Sequence, residues 1–198
     1  MATLSAEDRA ELLTLARCSI TTKLAGNWSN DPPPPSRSSM LGELRSSFVT
    51  VRMESELRGC CGTLDAARPL HADVWRNAVA AAFGDPRFEP ITEREWAACR
   101  LHLSVLTVPE LLPIEGEAEL RAVLRPHIDG LVLELPRSVQ TQGGWARAGR
   151  STFLPAVWEQ LPDVESFLHH LKRKAGWPAD FWSSELRVSR YVAEEFGE

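Results

Sequence analysis

Apolar residues near the start of the chain recur at helical spacing, with Leu12, Leu13, Ala16 and Ile20 on one stripe and Ser5 followed by Asp8 in the pattern of a capping box. The spacing predicts a helix over residues 6–24, ended at Gly26. Between residues 44 and 64 the period shortens to two: Phe48, Thr50 and Arg52 alternate with Val49, Val51 and Met53, and Glu54-Ser55-Glu56 supplies a turn. Two strands follow, the second carrying LRGCCGT (residues 57–63). Val74, Ala78, Ala81 and Ala82 predict a helix over 72–83 closed by Gly84, after which Asp85-Pro86-Arg87-Phe88 turns the chain. Thr92 with Glu95 is a second capping box before a short helix ending near Cys99. Leu101, Leu103 and Val105 then alternate with His102, Ser104 and Leu106 as a strand.

Beyond this point the pattern gives a short helix over 117–124, a turn at Asp129-Gly130 and a strand over 131–135. Gln142-Gly143-Gly144 reads as a flexible loop before an extended segment at 151–154. Val164, Phe167, Leu168 and Leu171 mark the clearest helix, opened by Pro162-Asp163 and closed by Gly176 with Pro178. Lys172, Arg173 and Lys174 suit the negative end of its dipole. Residues 185–192 alternate as a last strand. Local helices mixed with hairpin-like strands make the fold class α+β, with mostly antiparallel sheet. Residues 27–39, with four consecutive prolines, can be neither helix nor inner strand and read as a semi-rigid connector laid over the surface.

Composition narrows the function classes. The 198 residues carry a net charge of −5 and concentrate lysine and arginine nowhere, which disfavours nucleic-acid binding. No apolar run reaches membrane-spanning length and no signal peptide opens the chain, so the expectation is a soluble cytoplasmic protein with no membrane partner. Lys23, Lys172 and Lys174 are the only lysines, an arginine bias that hints at a GC-rich bacterial genome. Cys18, Cys60, Cys61 and Cys99 form no CxxC pair, and the scattered histidines 71, 102, 127, 169 and 170 form no zinc-ligand spacing, so neither a metal site nor a cofactor is expected. Neither a phosphate-binding glycine loop nor a GxSxG elbow is present.

LRGCCGT holds the candidate chemistry. Strict alternation puts Arg58, Cys60 and Gly62 on one face and Leu57, Gly59, Cys61 and Thr63 on the other. Cys61 then behaves as a small core residue, while Cys60 shares its face with a guanidinium that would favour the thiolate. Free cysteine is also among the most buried residue types, so a packing role for Cys60 stands beside a functional one. Arg58 could recognise an acidic or carbonyl group, with Gly59 and Gly62 permitting close approach. Alternatively Cys60 is a nucleophile and Arg58 stabilises developing negative charge.

LRGCCGT, PL…V..NA..AA (69–82), DPRFEP (85–90), LSVLTVPELL (103–112), DGLVLE (129–134), TFLPAVWEQLP (152–162) and FLHHLKRKAG (167–176) together resemble, in order and spacing, the AMMECR-one domain family. The likeness runs over residues 8–196 and is to the short bacterial form, that of the AmmeMemoRadiSam system. It implies two unequal subdomains separated by a cleft. The larger would hold both chain ends, about 1–64 and 125–198, and the smaller about 65–124. The family's LRGCIGT motif faces that cleft, which makes Cys60 the catalytic candidate and Arg58, Gly59, Gly62 and Thr63 the substrate-binding ones. Cys61 stands where isoleucine is usual, and Ala156 where glutamine often is. The family has no established reaction. Its association with a Memo-like protein and a radical SAM protein implies an accessory or substrate-binding component of a modification pathway, with the enzyme reading still open.

Overall fold

A computed structural model describes residues 3–35, 40–141 and 144–198. Helix α1 (Ala6–Leu24) begins at the expected box, Ser5 accepting from the Asp8 N–H and Asp8 reciprocating to the Ser5 N–H. Strands β1 (Ser47–Met53) and β2 (Glu56–Gly62) form the hairpin, followed by α2 (Leu70–Phe83), α3 (Glu93–Trp96) and β3 (Cys99–Leu106). Then come β4 (Glu110–Leu111), α4 (Glu117–Val123), β5 (Gly130–Leu135), β6 (Val139–Thr141), β7 (Gly144–Ala146) and β8 (Gly149–Phe153). A 3-10 turn (Pro155–Glu159), α5 (Val164–Lys174), β9 (Arg187–Tyr191) and β10 (Ala193–Gly197) complete the chain. Of the expected loop, Gln142 and Gly143 lie outside the described residues, as do residues 36–39 of the expected connector.

The described residues form an α+β chain whose strand pairs are antiparallel, in sheets of order β10-β3-β1-β2 and β4-β9-β5-β8 with a separate β6-β7 hairpin. Contacts divide it into two compact units, residues up to Val108 with Glu194–Glu198, and Pro109–Ala193. Those limits differ from boundaries near 64 and 125. The reason is register: β3 pairs with β1 along its length, from Ser47↔Val105 to Met53↔Cys99, so residues 65–108 belong with the hairpin, whereas β4 pairs with β9. Strand β10 has only Phe196 as a large apolar residue, too little alternation to announce a strand, and pairing with β3 makes it one.

In the first unit, Leu12, Ala16 and Ile20 of α1 and Val74, Ala78 and Ala81 of α2 bury against Val49, Val51, Leu101, Leu103 and Val105 of the sheet. One sheet face is therefore covered by helices, and the other carries Phe48, Thr50, Arg52, Arg100, His102 and Ser104. The described part of the connector lies against the helices: Trp28 stacks on Trp75 at 6.5 Å and donates to Ser19 Oγ, while Trp75 Nε1 donates to the Ser29 carbonyl. In the second unit, Leu131, Leu133 and Val188 pack on Trp158, Phe167, Leu168 and Leu171. Lys172 stands in the last turn of α5, as its fit to the helix dipole implies, and does more besides. Its ammonium is buried, pairs with Glu117 and donates to the Ala179 carbonyl, while Lys174 donates to the Thr152 carbonyl.

Candidate functional site

Strand β2 is the edge of its sheet, and its geometry turns on one irregularity. The register runs Phe48↔Gly62, Val49↔Cys61, Thr50↔Cys60 and Val51↔Gly59, then jumps to Arg52↔Leu57, leaving Arg58 as the extra residue of a bulge. Strict alternation therefore fails at that position. Gly59 and Cys61 stay on the helix side with Val51 and Val49, but Leu57 moves to the side of Arg52, and Arg58 leaves the face of Cys60.

The Arg58 guanidinium turns to the segment beyond α2. Its Nε and Nη2 donate to Glu95 at 3.1 and 3.3 Å, Nη1 donates to the Glu89 carbonyl at 2.8 Å, and the group lies 5.9 Å from the Phe88 ring centroid. Glu95 is thus the acidic partner of Arg58 in this structure. Alongside, the Cys60 N–H donates to Asp85 at 2.9 Å, so residues 85–95 cover an edge that would otherwise offer unpaired backbone groups. The Arg87 guanidinium, with the Cys60 and Arg87 N–H groups, holds the Asp85 carboxyl well below the usual carboxylate range.

Glu95 is held down to about 2 from an ordinary 4.5, first by Arg58 and then by the Thr92 N–H and hydroxyl. A carboxylate depressed by folding contributes stability above its unfolded value, and this contribution is lost as pH falls through the folded value. Thermal midpoints measured from pH 5 to pH 2 should therefore drop more steeply in the native chain than in Glu95→Gln. Parallel curves would mean that the clamp adds nothing.

The remaining motif residues are occupied as well. A Cβ on Gly59 would fall far inside contact with the Ala81 carbonyl oxygen of α2, and one on Gly62 would strike the Phe48 ring. Thr63 Oγ1 donates to Asp73, 2.7 and 2.8 Å from its two carboxylate oxygens. Asp73, 1% exposed, also accepts from the Ser47 N–H at 2.8 Å, the Ser47 hydroxyl at 2.7 Å and the Asn77 amide at 2.8 Å. Cys61 packs against the first core, and burial pushes its thiol up. Arg58, Gly59, Gly62 and Thr63 each have a structural task, and Cys60 differs from them. Its side chain stands on the helix-free face, and its Sγ accepts from Thr50 Oγ1 at 3.4 Å.

Thr50 is opposite Cys60 on one side and opposite His102 on the other. His102 Nε2 lies 3.8 Å from Glu195 of β10, and Ser104 Oγ donates to the same carboxylate at 3.3 Å. His102 first, and Ser104 with it, hold the Glu195 carboxyl below its ordinary value. A thiol, a hydroxyl, an imidazole and a carboxylate thus follow one another across all four strands. Alternation put Thr50 on one side of its own strand and His102 and Ser104 on one side of theirs, but only the register brings those sides together with Cys60, and Glu195 had no signal. Among the described residues, no three histidine, cysteine or acidic side chains gather to hold a metal ion.

These observations define a class: an α+β protein of two antiparallel-sheet units, with a thiol on the helix-free face of the first. The sequence profile of the AMMECR1 family matches residues 13–196, and the chain belongs to that family. A protein of Methanothermobacter thermautotrophicus is 35% identical over 199 residues, covering 100% of this chain and 97% of its own length. Protein MJ0810 of Methanocaldococcus jannaschii is 31% identical over 100% of this chain and 94% of its own. The crystal structure of the uncharacterized protein PH0010 from Pyrococcus horikoshii is similar, with a TM-score of 0.77 and 30% identity over 94% of this chain and 89% of that one. These relatives are archaeal, and their names carry no word of a partner or reaction, so they add no support for a bacterial form or a pathway. Among the described residues, no helix is long and apolar enough to cross a membrane.

Proposed function

We propose that the chain is a substrate-handling, accessory component of a modification pathway, and that the helix-free face around Cys60 is where it meets its substrate. The observation that carries this reading is the division of labour in LRGCCGT: Arg58, Gly59, Gly62 and Thr63 hold β2 against its neighbours, while the Cys60 side chain faces away from the helices. Arg58 shapes that face by anchoring the strand and does not read the ligand itself. The pathway, with a Memo-like protein and a radical SAM protein as associates in a cytoplasmic setting, rests on the family resemblance of the sequence blocks. A second reading, an enzyme with Cys60 as nucleophile, is favoured by one specific observation: the His102–Glu195 pair stands on the same face.

Iodoacetamide labelling at neutral pH, followed residue by residue, tests the site. Cys60 is expected to react roughly ten times faster than buried Cys99 or core-packed Cys61, and Cys60→Ser to change stability by no more than about 0.5 kcal/mol. Labelling of Cys60 no faster than Cys99 would place the thiol in the fabric of the fold and sink the proposal. Native purification followed by co-elution with a purified Memo-like protein tests the pathway separately; no co-elution at micromolar concentrations rules out a stable complex.

A further inference from the structure

The helix-free face carries two rows that complement each other chemically. The first is Cys60–Thr50–His102, with Glu195 beyond. The second, one pleat repeat along the strands, places Arg52 directly opposite Arg100. Both arginines are exposed, and among the described residues neither forms an ion pair. Arg52 donates to the Ser55 carbonyl, and Glu198, the carboxylate that Arg100 influences, is already bound by Arg17 and the Leu101 N–H. Like charges directly opposite on adjacent strands are destabilising. An anion seated between two guanidiniums turns that cost into binding.

Spacing decides what the first row can do. Cys60 and His102 are two strands apart, about 10 Å between backbones, so the imidazole and thiol do not meet directly. One functional group bound over Thr50 would touch both. His102 Nε2 lies toward Glu195 and Nδ1 lies beside Gly197, where an added Cβ would stand 3.1 Å from it, so glycine at that position leaves the ring room to turn toward a group bound over Thr50.

Resting on the proposed site at Cys60, we infer that this face binds acyl compounds carrying an anionic group, with Arg52 and Arg100 holding the anion, Cys60 attacking the acyl carbon and His102 transferring protons. Glu195 is the positioning residue that orients the ring. The Cys60 thiol proton passes to His102 through a water over Thr50, and sulfur bonds to the acyl carbon. The bond to the leaving group breaks, its electron pair departing with that group, which takes the proton from His102. Water then attacks the thioester and gives a proton to His102, and the C–S bond breaks. The thiolate recovers its proton from His102. The sum is acyl–X plus water giving a carboxylic acid and HX, without oxidant or cofactor.

The test uses two chromogenic esters of similar length, mono-4-nitrophenyl glutarate and neutral 4-nitrophenyl butyrate, with the full chain. The anionic ester is expected to be hydrolysed with a kcat/KM at least about tenfold higher. Arg52→Gln and Arg100→Gln should raise KM for that ester alone. His102→Gln should lower kcat and remove a limb of the pH–rate profile, which Glu195→Gln should instead displace. Cys60→Ser should abolish turnover and the acyl adduct seen by intact mass. Circular dichroism checks that each variant is folded. Equal rates for the two esters, unaffected by the arginine substitutions, overturn the anion assignment, and an unchanged pH profile in His102→Gln overturns the proton-transfer role. In both cases Cys60 stays a reactive site by iodoacetamide. Loss of reactivity at Cys60 itself overturns the site proposal as well.

Discussion

Gly59→Ala is expected to yield little folded protein, with a loss of about 3 kcal/mol or more in urea unfolding and a large fall in soluble yield. The added methyl meets the Ala81 carbonyl oxygen and carbon, which are backbone in the last turn of α2 and cannot rotate away as a side chain does. Relief requires moving α2 off β2, and that exposes Val74, Ala78 and Ala81 together. Gly62→Ala provides the control. Its methyl strikes the Phe48 ring, a side chain, so trimming Phe48 to leucine alongside it should restore much of the stability. No side-chain trimming can do the same for Gly59. A Gly59→Ala protein melting within a few degrees of the native chain would show that α2 does not seat on β2 this closely.

Removing the Asp73 carboxylate ranks second. Asp73→Ala should cost about 3–5 kcal/mol, because it leaves the Ser47 N–H and the Ser47 hydroxyl buried without their carboxylate acceptor and takes one of the acceptors of the Asn77 amide, which keeps the Ser47 carbonyl. It also frees Thr63, the last residue of the motif, and removes the partner of Arg68 at 3.5 Å. Asp73→Asn keeps the shape but turns an NH2 toward groups that are themselves donors, so it should recover less than half of the loss. Urea unfolding at pH 7 measures both. A loss under about 1 kcal/mol for Asp73→Ala would mean that water replaces the carboxylate and the site is not sealed.

How much of this was legible before the structure depends on distance along the chain. Caps and periodicities are local, so α1, α3 and α5 begin where Ser5, Thr92 and Asp163 said they would. Cys61 could be assigned to the core from alternation alone. Arg58 could not be placed, since a bulge is a property of a pair of strands, and one residue of slip reverses every side chain beyond it. The boundaries near 64 and 125 were out of reach for the same reason, because nothing local says that β3 returns to β1 while β4 goes to β9. His102 was one of five scattered histidines until Thr50 stood between it and Cys60. Glu195 belonged to a stretch with no strand signal, and Glu95 was visible only as a capping residue, though it also answers Arg58.

Strand β10 has a bearing on how the chain leaves the ribosome. The second unit is one continuous stretch, Pro109–Ala193, inserted between β3 and β10. It can be finished in the order of synthesis. The first unit must wait, since Glu194 supplies the carboxylate that meets Arg9, Arg45 and the Leu4 N–H, and Glu198 the one that meets Arg17. Until β10 and Glu198 emerge, β3 presents a bare edge and Arg9 and Arg17 lack the carboxylates of Glu194 and Glu198, so the nascent first unit is the vulnerable one and becomes secure only after the second has been made.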